Sequence, residues 1–417
     1  MGAVNSRPER PKLTMPERSA VVSVEILPIV RYTYYVFVFS IPIETLDVGL
    51  DSGMFSVSKL IGVMFIAVAL LQPAICFKTI PRALWYFSTY GLVCLCVADL
   101  GTSYVRGLVF VQLFTLCLML LLFWASYNLL RDRSVVKGAL MAFIGSCAVL
   151  TGLMLAGAGQ SVAQGRTTAL SQNANVVGAT LSLGWLALFG LTYGRDDMGK
   201  RTKILIWCCL AYLAIGIVAT GSRAAMLASL VGILLFVITK RGNFVLKARV
   251  AFIGFLAIVA LGVALSQNEA AQSRWERAMQ GDQSRREEIH PAAWAMFLQK
   301  PMLGWGPVSH YLELGARFGK ATLDPHSIYL WVLIETGLLG SIPFFIGLWI
   351  CWRSGWRATY GAEGPLPITL LASLLIVGIA GTVHMRKVFW IMLAYNLASE
   401  SFISRRGRLP YGDERKD

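Results

Sequence analysis

The chain has 417 residues, is 56% hydrophobic and only 15% charged, and its mean hydropathy of +0.61 is too apolar for an ordinary soluble domain. A formal net charge of +15 does not imply nucleic acid, because the basic residues are scattered over segments that flank apolar runs and form no basic domain of their own. The eight cysteines (Cys76, Cys94, Cys96, Cys117, Cys147, Cys208, Cys209 and Cys351) all fall in or beside those runs, which argues against a disulfide framework or a thiolate zinc site.

Residues 1–29 lack the apolar core of a cleavable signal peptide, so the first apolar run is expected to insert and stay. From there the hydropathy predicts an all-α polytopic membrane protein with about twelve transmembrane helices, each long enough for roughly 30 Å of hydrocarbon. The predicted spans lie near 30–47, 58–76, 83–100, 107–129, 138–157, 174–193, 203–220, 223–239, 249–266, 327–351, 366–383 and 388–403. Lysine and arginine are dense in alternate connections, among them Lys78 and Arg82, Arg131 to Lys137, Arg195 to Lys203, Lys240 to Arg249, and Arg353 and Arg357. The positive-inside rule assigns that side, and both termini, to the cytoplasm. Three regions follow: a cytoplasmic segment at 1–29, a transmembrane catalytic domain at 30–404, and a basic cytoplasmic tail at 405–417. The connection at 267–326 is then one long periplasmic loop carrying short helices, with helix-compatible pieces at Arg274 to Met279 and Ala292 to Leu298. Gly304-Trp305-Gly306-Pro307 reads as a turn, and Tyr311 to Phe318 as an amphipathic helix that lies at the lipid interface or packs onto the bundle. Neither an internal repeat nor a broken-helix signature near mid-membrane is read from the sequence.

Polar residues on the exported side recur at separated places. Lys59 sits at the outer end of the second span, Arg166 follows Gly165, and Asn173 and Asn175, with Gln172, open the sixth span. Arg223 begins a helix after Gly221-Ser222, the pair Arg285-Arg286 lies in the long loop, and Arg386-Lys387, with His384, opens the last span. Guanidinium forks converging from different helices suit a diphosphate, which they bind, orient and stabilise as a leaving group. Glu287-Glu288 directly follow Arg285-Arg286, so ion pairing is favoured over a shared cation, and neither a metal nor a cofactor is expected.

The loop ends in Asp324-Pro325-His326-Ser327, immediately before an apolar run. Asp324 is expected to cap that helix, with Pro325 at its first position and His326 just inside, where the helix dipole keeps the imidazole neutral and able to accept a proton. Glu335 lies within the same span about 13 Å deeper and on the opposite face, and is read as a buried partner for polar backbone or an arginine.

In order and spacing, this set of motifs resembles the O-antigen ligase and polymerase superfamily. The resemblance runs over roughly residues 165–350 through Gln172-Asn173-Ala174-Asn175, Thr220-Gly221-Ser222-Arg223-Ala224-Ala225, Arg286 with Ala293-Trp294-Ala295-Met296-Phe297, Pro301 to Gly306, His326-Ser327 and Glu335-Thr336-Gly337-Leu338-Leu339-Gly340. It implies a GT-C-like membrane glycosyltransferase in which His326 activates an acceptor hydroxyl while Arg223 and Arg286 engage the diphosphate of an undecaprenyl diphosphate-linked O-antigen donor. Where many relatives have His-Asn, this chain has His326-Ser327. Within that resemblance, the short basic tail and the absence at Arg166 and Arg286 of the arginine-to-glycine spacing of polymerase loops favour a ligase using a lipid A-core acceptor among membrane lipids, over a polymerase, a protein O-oligosaccharyltransferase or a lipid-linked glycan transporter.

Overall fold

The computed structural model describes residues 25–44, 56–158, 167–170, 172–193, 198–240, 276 and 285–403. Every predicted span except 249–266, which lies outside the described residues, coincides with a helix: α1 (Pro28–Ser40), α2 (Val57–Ala69), α4 (Arg82–Cys96), α5 (Ser103–Leu129), α6 (Arg133–Leu155), α7 (Ala174–Thr192), α8 (Lys200–Ala219), α9 (Arg223–Thr239), α12 (Ile328–Ala358), α13 (Leu366–Ile379) and α14 (Lys387–Ser399). A one-turn α3 (Pro73–Cys76) and two loop helices, α10 (Arg286–Gln299) and α11 (Ser309–Arg317), complete the set, and the described residues contain no strand. The protein is an all-α membrane protein. Five helices, α5, α6, α7, α8 and α12, are long and apolar enough to cross a bilayer. Others are shorter; a helix such as α2, with 13 residues, reaches only about 20 Å, short of a hydrocarbon core of about 30 Å.

Large apolar side chains on the outer faces, including Trp85, Phe110, Leu205, Ile238 and Trp349, are more than half exposed, as a lipid-facing surface requires. Inside, α12 packs against α4 and α14, α14 against α5, α13 against α9, and α7 against α8 and α9. Phe87, Phe123, Phe344, Phe389 and Trp390 form the aromatic centre of this bundle, with ring centroids 5.1–6.4 Å apart. A smaller core, Ile289, Ala293, Met296, Phe297, Leu314, Leu323 and Ile334, fastens α10 and α11 to α12. The amphipathic α11 therefore packs onto the bundle. The Arg274 to Met279 piece falls almost entirely outside the described residues.

One expectation is corrected at α12. The helix is broken at Gly337, whose φ of 57° and ψ of −157° are non-helical. The loop after α10 closes the gap: Leu338 N donates to Pro301 O (2.8 Å), Trp305 N to Ile334 O (2.8 Å) and Gly306 N to Glu335 O (2.8 Å). Such a break is tolerated at membrane depth only because protein satisfies the freed groups. It also explains the glycines of both motifs, since a Cβ on Gly304 would lie 2.6 Å from the Glu335 carbonyl carbon and one on Gly337 2.4 Å from that of Met302. Gly337→Ala should accordingly cost at least about 2 kcal/mol through the Gly-only backbone region plus this collision. Thermal unfolding in detergent checks it against Leu339→Ala on the exposed face; equal melting temperatures for the two variants contradict the close approach.

Candidate functional site

The starts of α7, α9, α12 and α14 meet at one end of the bundle, where local sequence prepares each polar side chain. At the start of α9, Ser222 Oγ accepts from Ala225 N (3.4 Å) and Thr220 Oγ1 accepts from Ser222 N (3.2 Å), so a buried hydroxyl pair presents Arg223 as the first helical residue. Gly178 of α7 lets this turn approach, because a Cβ there would sit 2.7 Å from Thr220 Oγ1. Arg286 starts α10 and donates to Ala380 O at the end of α13 (3.0 Å). Burial lowers its pKa, Arg223 lowers it further, and Asp324 and Glu287 oppose the shift, which places Arg286 among those charges.

His326 lies in a different setting from the one expected. Helix α12 begins at Ile328, with Ser327 as an N-cap whose side chain makes no capping bond, and His326 precedes it in the left-handed region at φ 53°. The reason is that the Asp324 carboxylate closes a tighter turn: Oδ1 accepts from His326 N at 2.6 Å, while Oδ2 accepts from Thr382 Oγ1 at 2.6 Å. His326 Nδ1 stands 3.7 Å from the same Oδ1, so the charge favours the proton on Nδ1 and leaves the lone pair on Nε2. Burial is the main cause of a pKa below the ordinary histidine value; Asp324 opposes it, and Arg286 and Lys320 add to it.

A second histidine at this place escaped the sequence reading. His290 lies one turn after Arg286 on α10; its imidazole interacts with the Pro325 carbonyl, and its Nε2 is buried with no hydrogen-bond partner. Burial, then Arg286 and His326, lower its pKa, so it too is neutral near pH 7. The usable signal was the four-residue spacing from Arg286, which puts both side chains on one helical face.

The remaining candidates divide. Arg285, in the left-handed region, pairs with Glu288 (3.5 Å) and lies over the Phe318 ring, so Arg286 is the member of that pair among the site charges. Lys59, Arg386 and Lys387 gather around Glu44 in a neighbouring cluster: buried Lys387 bonds Glu44, Arg386 Nη1 is 3.8 Å from it, and Lys59 is an electrostatic neighbour of Lys387. The 380–386 connection joins the two clusters through Thr382 on one side and Arg386 on the other. Asn173 caps α7 by accepting from Asn175 N (2.8 Å), and the amide of Gln172 is used on Pro42 O (3.0 Å). His384 is fully buried beside Trp331, with ring centroids 5.4 Å apart. Arg166 lies outside the described residues.

Glu335 is buried, but its partners are neither backbone nor arginine. Tyr90 Oη and Gln112 Nε2 donate to it, and His310 Nδ1, itself 3.0 Å from Gly306 O, stands 4.0 Å away. Helix α4, which packs on both α12 and α5, supplies Tyr90, and α5 supplies Gln112, a proximity with no trace in local sequence.

A neutral base beside Arg286, which has Arg223 as its own neighbour, suits removal of a hydroxyl proton next to an anionic leaving group. The pH dependence has a definite sign. Protonated His326 cannot act as a base, so kcat/KM for the acceptor should fall in acid along a limb centred below about 6.5. Lys320→Ala removes one cation that depresses this pKa and should move the limb to higher pH, and a limb that stays in place would contradict that origin.

Residues 208–345 match the model of the family described as O-antigen ligase. That stretch holds Arg223, Arg286, His290, Asp324, His326 and the Gly337 break, and leaves Lys59, Asn173, Asn175, Arg386 and Lys387 outside. Nothing among curated proteins matches the chain.

Proposed function

We propose, from the match of residues 208–345 to the O-antigen ligase family, that the chain is an inverting, metal-independent glycosyltransferase of that family. It moves O-antigen polysaccharide from undecaprenyl diphosphate to lipid A-core at the periplasmic face of the bacterial inner membrane. The scaffold for this reading is a GT-C-like bundle of about twelve spans. The observation that carries the reading is His326, held by Asp324 with its Nε2 lone pair available beside Arg286.

In the reaction, the acceptor hydroxyl oxygen forms a bond to the anomeric carbon as the bond from that carbon to the diphosphate oxygen breaks. The electron pair leaves with the diphosphate, and the hydroxyl proton passes to His326. Arg286 and Arg223 hold the departing diphosphate, doing what a divalent ion does in other transferases, while Lys59 and Arg386 extend the cationic surface toward the donor. Arg166, Arg285, Asn173, Asn175 and Lys387 are assigned to the periphery of the donor site. Among the described residues the carboxylate beside His326, Asp324, already accepts from the His326 amide and the Thr382 hydroxyl, so the reading is a single displacement that inverts the anomeric centre. NMR of donor and product linkages checks this; an unchanged anomeric configuration contradicts it.

The break in α12 favours a second reading, a transporter of lipid-linked glycan, since transporters build their sites from broken helices. The backbone freed at Gly337, however, is closed by hydrogen bonds with the Pro301–Gly306 loop. Purified protein incubated with undecaprenyl diphosphate-linked glycan and lipid A-core in the presence of a chelator separates the readings. Ligated lipid A-core is expected; lengthened donor glycan would indicate a polymerase, and translocation without bond formation a transporter.

A further inference from the structure

A cavity of about 660 Å³ opens at the opposite end of the bundle, lined by Arg133, Lys137, Tyr193, Lys240 and the 359–366 connection. Its position follows from three helices that start near the site and finish here: α7 ends at Thr192, α9 at Thr239 and α12 at Ala358. With 19 residues, α7 alone separates the two ends by about 28 Å, roughly one bilayer core. The cavity therefore lies on the side rich in basic connections, remote from His326.

Among the described residues the basic side chains of the lining outnumber the acidic ones. The acidic side chain there, Glu363, is already matched, because Arg133 Nε lies 3.1 Å from one carboxylate oxygen and Tyr395 Oη donates to the other at 3.0 Å. Arg133 Nη2 also donates to Ala362 O (3.3 Å), so this network holds the Gly361 to Gly364 wall in place. Two lysines remain. Lys240 Nζ lies 5.7 Å from the Phe236 ring centroid and 5.9 Å from that of Tyr193, and among the described residues neither it nor Lys137 is paired with a carboxylate. Basic pockets between helix ends at the membrane surface are suited to anionic headgroups.

We propose that this cavity binds a phosphate group through Lys137 and Lys240, carried by an anionic phospholipid of the adjacent leaflet or by a free phosphate. The site is independent of the transferase reading, and its test does not use glycan transfer. Full-length protein stripped of lipid in detergent is titrated with phosphatidylglycerol and with net-neutral phosphatidylethanolamine, and bound molecules are counted by native mass spectrometry. Phosphatidylglycerol should bind the more tightly of the two. Lys137→Ala with Lys240→Ala should weaken it by about thirty-fold, the product of two headgroup-lysine contributions, whereas arginine at both positions should retain it. Displacement by millimolar inorganic phosphate would assign the site to the free anion, and retention of the lipid to the headgroup. Binding of phosphatidylglycerol and of phosphate that is the same in wild type and in the double alanine variant would overturn the site.

Discussion

His326→Ala is expected to lower glycan transfer by about 10²–10⁴-fold, the range for loss of a positioned general base. The ring is irreplaceable because its lone pair is set by neighbours: Asp324 receives the His326 amide and fixes the turn, and Thr382 fixes Asp324. The variant should insert and fold normally, since the side chain is only partly buried and the left-handed position is no worse for alanine than for histidine by more than about 1 kcal/mol. Asp324→Asn should lose less, because an amide oxygen still accepts from the His326 amide but no longer carries the charge that biases the imidazole tautomer. Glycan attachment to lipid A-core, measured on equal amounts of membrane-inserted protein, decides the matter; near-wild-type transfer by His326→Ala would sink the assignment of the base.

Arg286→Lys should fail nearly as badly as Arg286→Ala, with a loss on the order of 10²–10³-fold, as for removal of a donor to a developing anion. One arm of the guanidinium is anchored on Ala380 O, and Arg223, Asp324 and Glu287 are its charged neighbours. A lysine ammonium cannot both reach that carbonyl and offer a planar pair of donors to a diphosphate. Arg223→Lys should behave in the same way, because its cation is delivered from the rigid first turn of α9. Steady-state kinetics with varied donor tests this, and full activity of both lysine variants would replace the fork with a simple point-charge role.

Much of the architecture could be read from periodicity and turn chemistry. Helix after helix lies where a long apolar run was found, and Thr220-Gly221-Ser222 announces the capped start of α9 that carries Arg223. His326 was singled out by position, yet its local geometry was misread, since an aspartate two residues before a histidine can cap a helix or close its own turn, and Thr382, 58 residues away, holds the carboxylate in the turn. His290 went unseen because a histidine in an amphipathic loop helix has no distinguishing local pattern; only the return of Pro325 to its side makes it part of the site.

The sequence alone determined what depends on neighbours in the chain: apolar helices, the connections in which basic residues gather, the capped starts of α7 and α9, and the chemical kinds of side chain available to an anionic substrate. Tertiary structure decided what depends on approach between distant segments. The glycines of Gly304-Trp305-Gly306 and Glu335-Thr336-Gly337 belong to one contact, in which a loop supplies the hydrogen bonds that a broken helix lacks. Glu335 finds Tyr90 and Gln112 for the same reason, and Arg286 is separated from Arg285 by which of them faces α9 and which turns to Glu288. Local propensity is a property of a few adjacent residues, whereas a buried charge or an open backbone carbonyl in lipid must find its partner wherever the fold brings one.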